Sequence, residues 1–172
     1  MSSPAREVVN VVVAGLGGQG VIKAADILAD AVFRAGHDVK KAEVHGMSQR
    51  GGSVTSDVRF GPEVLSPMVP PGEADFLIVL APSEIPVTRP LLREGGLLIP
   101  PDAIDEKDLP NKRSLNVALL GILASQLDLA EEHWMAALRA ALPERLQDVN
   151  EKAFRIGRAA GPGIATRARS GR

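Results

Sequence analysis

Val8-Val9-Asn10-Val11-Val12-Val13-Ala14-Gly15-Leu16-Gly17-Gly18-Gln19-Gly20-Val21 decides the fold. Its first seven residues are a nearly continuous β-branched run, which reads as a short strand buried on both faces, as in a parallel sheet. The glycines follow at once. Beyond them Val21, Ala24, Ala25, Leu28, Val32 and Ala35 recur at helical spacing and form one apolar stripe, with Gly36 as a natural stop. Strand, glycine loop and helix in that order open a doubly wound α/β fold.

The rest of the chain extends this pattern. Asp38 to Val44 reads as a second strand, followed by a polar loop from His45 to Gly52. Ser53 to Phe60 alternates, with Val54, Ser56, Val58 and Phe60 on one face, and predicts a half-exposed strand running antiparallel at or near an edge. Gly61 to Gly72 carries Pro62, Pro67, Pro70 and Pro71, so it is a stiff loop. Its Val64, Leu65, Met68 and Val69 call for a cover. Ala74 to Leu80 is a further buried strand. Ala81-Pro82-Ser83-Glu84 turns into a short helix ending near Gly95-Gly96, and Leu97-Leu98-Ile99 is a strand stopped by Pro100-Pro101. After a charged connection from Asp102 to Arg113, Ser114 is placed to cap an apolar helix from Leu115 to about Leu127. One more helix carries Trp134, Leu138 and Leu142. Another starts at Pro143 and aligns Leu146, Val149, Ala153, Ile156 and Ala160 in a narrow seam. Gly161-Pro162-Gly163 predicts its end.

These elements make the fold class α/β: a Rossmann-like, mainly parallel sheet flanked by helices, with a C-terminal helical segment. The expected organisation is a flexible N-terminus over 1–7, one domain over 8–160 and a basic, disordered tail over 161–172. At 172 residues the chain is about one domain long, and it can bury a core without disulfides.

Composition removes several function classes. With no cysteine there is no disulfide framework, thiolate metal site, cluster ligand or cysteine nucleophile. His37, His45 and His133 share no ligand spacing, so no metal site is expected. Twenty basic residues balance 21 acidic ones, and aromatics are 3%, which is not the profile of a nucleic-acid binder. No apolar run approaches a membrane span, and Met1 to Glu7 has no signal-like apolar core, so a cytoplasmic protein is the expectation.

Two loops concentrate the chemistry. Gly15, Gly17 and Gly20 satisfy G-x-G-x-x-G between a strand and a helix, where free N–H groups and the helix dipole favour an anion. Glu43, 23 residues after Gly20, stands where a ribose-binding acid would. Against a dinucleotide, Gln19 puts a bulky polar side chain where a pyrophosphate would approach, and no substrate domain remains. Three readings therefore stand: tight strand–helix packing alone, contact with an anion or substrate group, or a true dinucleotide site. The second loop is Ser48-Gln49-Arg50-Gly51-Gly52. Arg50 supplies a charged donor fork, and Gly51-Gly52 can expose successive N–H groups as an anion nest. A loop after the second strand should share the carboxyl edge of the sheet with the first, so both loops face one crevice or a subunit interface. A polar turn with Arg50 paired to a surface acid is the plainer reading.

Taken together, Gly15 to Val21, Glu43-Val44-His45-Gly46-Met47 leading into Ser48 to Gly52, and Glu73-Ala74-Asp75 before an apolar strand resemble the gamma domain of the 2-oxoacid:ferredoxin oxidoreductases. Within that family the likeness is to the small beta subunit of the indolepyruvate type. Asn116 early in an apolar helix and the seam ending at Phe154-Arg155-Ile156-Gly157 fit as well, so the resemblance spans about residues 8 to 160. It implies a multi-subunit enzyme that oxidatively decarboxylates a 2-oxo acid with coenzyme A as co-substrate, yielding an acyl-CoA, CO2 and reduced ferredoxin. A large alpha subunit would hold thiamine diphosphate, Mg2+ and the iron–sulfur clusters, and this chain none of them. The sequence lacks the Gly-Asp-Gly signature of thiamine diphosphate sites. The resemblance assigns Gly15, Gly17, Gly18, Gln19 and Gly20, with Ser48, Gln49, Arg50, Gly51 and Gly52, to a crevice or interface beside the active site, with no catalytic acid, base or nucleophile among them. The residues alone also admit a stand-alone NAD or FAD oxidoreductase and a purely structural or regulatory subunit.

Overall fold

In the computed structural model, which describes residues 7–46 and 52–170, the β-branched run is β1, Val9–Leu16, the middle strand of a five-stranded sheet. The other strands are β2 (Asp38–His45), β3 (Ser53–Gly61), β4 (Ala74–Val79) and β5 (Leu92–Ile99), in spatial order β2-β3-β1-β4-β5. β4 pairs with β1 and β5 with β4 in parallel, while β3 lies antiparallel to both β1 and β2. β3 thus runs against the other strands, one place in from the edge, as its alternating pattern suggested. Lys40 and Lys41 sit on the edge strand β2, where lysine discourages pairing with another chain.

β1 is apolar apart from the hydrogen-bonded Asn10 because both of its faces are covered. Val11 and Val13 join one core, and Val12 and Ala14 another. Four helices pack on the first face: α1 (Val21–Arg34), α3 (Leu115–Ala124), α4 (Glu131–Ala141) and α5 (Glu144–Ser170). α3 is buried almost all round, which explains its uniformly apolar sequence. The second face is closed by much less material: Val69 of the proline-rich loop, and Ile85 and Leu91 in and just after the short helix α2 (Ile85–Thr88).

Several local expectations are corrected. α5 does not stop at Gly161-Pro162-Gly163 but continues through Pro162 to Ser170, burying Ile164 and Ala165. The expected disordered tail is thus helical as far as Ser170; residues 171 and 172 lie outside the described part. The reason is packing. A Cβ on Gly161 would sit 1.9 Å from Ser125 Oγ, and one on Gly157 would sit 1.8 Å from the Ala118 carbonyl oxygen. These glycines let α5 press against α3, and that contact outweighs the helix-breaking tendency of Pro162. α3 itself ends at Ala124. Ser114 precedes it without capping it, because its hydroxyl donates to the Asn111 carbonyl. The short helix after Glu84 is brief, and Gly95-Gly96 belongs to β5, which begins at Leu92 with a register shift against β4. Among the described residues no helix is long and apolar enough to cross a membrane.

Candidate functional site

The glycine loop leaves the carboxyl end of β1 and is held from three sides. Gln19 folds back over it. Its Oε1 accepts from the Leu16 N–H (2.8 Å), and its Nε2 donates to the Leu80 carbonyl at the end of β4 (3.3 Å). Gly15 is buried beneath it, where a Cβ would come within 2.9 Å of Gln19 Oε1. Gly17 donates its N–H to the carbonyl of Gly52 at the start of β3 (2.9 Å). Gly20 caps α1 in the left-handed conformation, φ 82°, and Asn116 Nδ2 donates to its carbonyl (3.1 Å). A side chain at Gly20 would meet both obstacles, because its Cβ would lie 2.4 Å from Asn116 Nδ2. Gly18, also left-handed, faces open space.

Gln19 therefore occupies the loop with its own amide, and the Leu16 N–H is already taken. Glu43 also fails the dinucleotide geometry. β3 is inserted between β2 and β1, so Glu43 lies two strand spacings, roughly 10 Å, from β1. Its carboxylate is engaged instead by Lys41 Nζ at 2.7 Å, and that hydrogen bond holds it below the usual carboxylate range. On Lys41, burial favours the neutral amine, but hydrogen bonds to Asp26 and Glu43 outweigh it and raise the ammonium. The cluster of Asp26, Lys41, Glu43 and His45 is thus internally paired.

The second loop approaches the first at one described residue. Because β2 and β3 form a hairpin, the chain returns beside β1, and Gly46 N–H donates to the Ser53 carbonyl where the hairpin closes. Gly52 meets Gly17 there. Ser48, Gln49, Arg50 and Gly51 lie outside the described residues.

A cleft of about 1140 Å³ opens at this edge of the sheet. Gly18, Gln19 and Gly20 form one wall, Leu80 and Pro82 the floor at the end of β4, and Asn116 a corner. The far wall is the charged connection after β5, with Lys107, Lys112 and Arg113 set among Asp102, Asp105 and Glu106. The sequence shows this segment only as a charged connection between β5 and α3. The proline pair that stops β5 is the signal that could have placed it here, since Pro101 also lines the cleft. The sequence pattern marks Asn116 only as a polar residue early in an apolar helix; its carboxamide fixes the glycine loop to α3. Among the described residues the cleft offers mixed charge and backbone polarity.

Comparison with known proteins places this geometry. The family described as pyruvate ferredoxin/flavodoxin oxidoreductase matches residues 10–110. The indolepyruvate oxidoreductase subunit IorB of Thermococcus kodakarensis is 35% identical over 86% of this chain and 93% of its own length. The IorB subunit of Methanothermobacter thermautotrophicus is 33% identical over 86% and 95%. Among solved structures, the gamma subunit of a keto/oxoacid ferredoxin oxidoreductase from Geobacter sulfurreducens has the same fold, with TM-score 0.75 and 22% identity over 90% of this chain and 99% of that one. The 2-oxoglutarate:ferredoxin oxidoreductase of Magnetococcus marinus contains the fold within a longer chain, with TM-score 0.78 and 21% identity over 92% of this chain and 32% of that one. A family match across more than half of the sequence, together with relatives above 30% identity along most of it, shows that this chain belongs to the pyruvate ferredoxin/flavodoxin oxidoreductase family.

Proposed function

We propose that this chain is the small subunit of an indolepyruvate-type 2-oxoacid:ferredoxin oxidoreductase in the cytoplasm. The complex would oxidatively decarboxylate an aryl 2-oxo acid with coenzyme A to an acyl-CoA and CO2, and pass the two electrons to ferredoxin. The observation that carries the reading is the 35% identity with an indolepyruvate oxidoreductase subunit over nearly the full length of both chains.

The residues present do not fit the redox cofactors of such a reaction. The chain has no cysteine for iron–sulfur clusters, and among the described residues no three His, Asp or Glu side chains converge as metal ligands. Thiamine diphosphate, Mg2+ and the clusters are therefore assigned to a large alpha subunit, and no chemical step is assigned to a side chain here. The work proposed for this chain is shape. Gly15, Gly17, Gly18, Gln19 and Gly20 keep one wall low and rigid. Ser48, Gln49, Arg50, Gly51 and Gly52 are proposed, from the family resemblance, to serve a crevice or subunit interface beside the active site.

The test is reconstitution. Co-expression with the cysteine-rich large subunit should give a complex that reduces a viologen dye with indolepyruvate and coenzyme A. The large subunit alone should be much less active. Equal activity without this chain overturns the reading, and so does tight binding of NAD(H) or FAD by the purified chain.

A further inference from the structure

The second sheet face carries a surface that the fold itself leaves unfinished. The proline-rich loop after β3 is pinned across it at three points. Asp38 accepts from the Val64 N–H (2.7 Å), Asp57 from the Val69 N–H (2.9 Å), and Arg59 Nη1 donates to the Ser66 carbonyl (2.8 Å). On this pinned loop Leu65 is 85% and Met68 57% exposed. α2 lies alongside, since Gly72 of the loop faces the Pro90 carbonyl just beyond α2, and there Val87 is 65% exposed while Ile85 packs inward. Rigidly held apolar side chains cost little entropy to dock, and clustered ones mark a contact surface.

One buried acid belongs to the same surface. Glu84, immediately before α2, is 5% exposed, yet its Oε2 has no hydrogen-bond partner and no cation pairs with it among the described residues. The other buried acids of this face are engaged. Asp75 accepts from the Asn10 N–H and from Arg93, and Asp57 from Val69. A buried acceptor oxygen left without a donor is costly, so a fold that satisfies its neighbours leaves this one for a donor from outside.

We infer that the loop-covered face, through Leu65, Met68 and Val87, docks on the large subunit, and that Glu84 receives a basic side chain from it. This rests on the subunit reading above. The occupant is an apolar patch containing one arginine or lysine, arginine being the better geometric match. Arg59 and Arg93 on this face are spent on Asn10, Ser66 and Asp75, so neither supplies the cation to Glu84.

The experiment measures association of the full chain with the purified large subunit by titration calorimetry, alongside the melting temperature of the free chain. Met68→Glu with Val87→Glu should weaken association at least tenfold. Phe33→Glu, at the 65% exposed Phe33 of α1, should leave it within twofold. Glu84→Gln should weaken association about tenfold while the free chain melts at the same or a higher temperature, because Glu84 Oε2 makes no hydrogen bond within the chain that the change could break. The inference is overturned if Phe33→Glu is the disruptive change, if the paired change leaves association intact, if Glu84→Gln leaves it intact, or if Glu84→Gln lowers the melting temperature of the free chain. It is also overturned if the surface proves to pair two copies of this chain. Failure of the unaltered chain to associate at all overturns the subunit reading itself, which separates the two.

Discussion

The two faces of the sheet are built by opposite means. The helix-covered face is closed by the chain itself, with four helices, one continuous core and backbones pressed together at glycines. The loop-covered face is closed by a proline-stiffened strap and one turn of helix, fastened by hydrogen bonds that Asp38 and Asp57 accept and Arg59 donates. The first gains its stability from buried apolar area and tolerates little change in volume. The second has little apolar area of its own and relies on directed polar contacts, which hold a surface in place without covering it. The difference shows how a small domain can be self-sufficient on one side and remain available to a partner on the other.

Four substitutions test that contrast. The largest effect is expected for Trp134→Ala. Trp134 is fully buried in α4 against Phe154, ring centroids 5.4 Å apart, and its loss should cost about 3–5 kcal/mol in a denaturant titration. Gly157→Ala comes next. The added methyl would meet the Ala118 carbonyl oxygen at 1.8 Å, so α5 must lift from α3, at about 1–3 kcal/mol or a fall in Tm of roughly 2–12 °C. On the other face Arg59→Met should cost only about 1–2 kcal/mol, because it removes the hydrogen bonds to Asn10 and Ser66 but no core volume. Faster protease cleavage near Leu65, with the helices still protected, would show that the strap loosens by itself. An equal loss across both faces would break the contrast.

The smallest effect is a pH dependence. Burial raises the Asp57 carboxyl above its ordinary value of 3.8, against the Val69 N–H and the charge of Arg59, which lower it. In the window just above 3.8 the folded chain keeps a proton that the unfolded chain has released, so this group's contribution to stability falls as pH rises through the window. Asp57→Asn removes that titration and keeps an acceptor for Val69. Its melting temperature relative to the parent should therefore rise as pH increases from 3.8 through the raised value, and a flat difference would count against the assignment.

Much of the architecture is legible in the sequence. The β1 run, the stripe of α1 and the alternation of β3 each impose a period that only one element satisfies, and each lies where expected. The family likeness was legible too, in the motifs around Gly15 and Glu43. What misled were residues whose local preference is overruled at a distance. Gly161-Pro162-Gly163 looks like a stop, and Glu43 looks like a ribose-binding acid. The first is overruled by the α3–α5 contact, and the second by the insertion of β3 beside β1.

The sequence by itself determined what this chain lacks and which local elements it forms: no cysteine to carry a redox centre, a glycine loop between strand and helix, a strap stiffened by four prolines. Local propensity and composition suffice for such statements, because they depend on residues near one another in the chain. Only the tertiary structure decided that Gln19 closes the glycine loop with its own amide, that Asn116 holds Gly20 from 96 residues away, and that Glu84 is buried without a partner beside exposed apolar side chains. Those facts follow from the strand order and from which face each helix covers. Such pairings between distant residues are set by the packing of the whole domain, which no local pattern encodes.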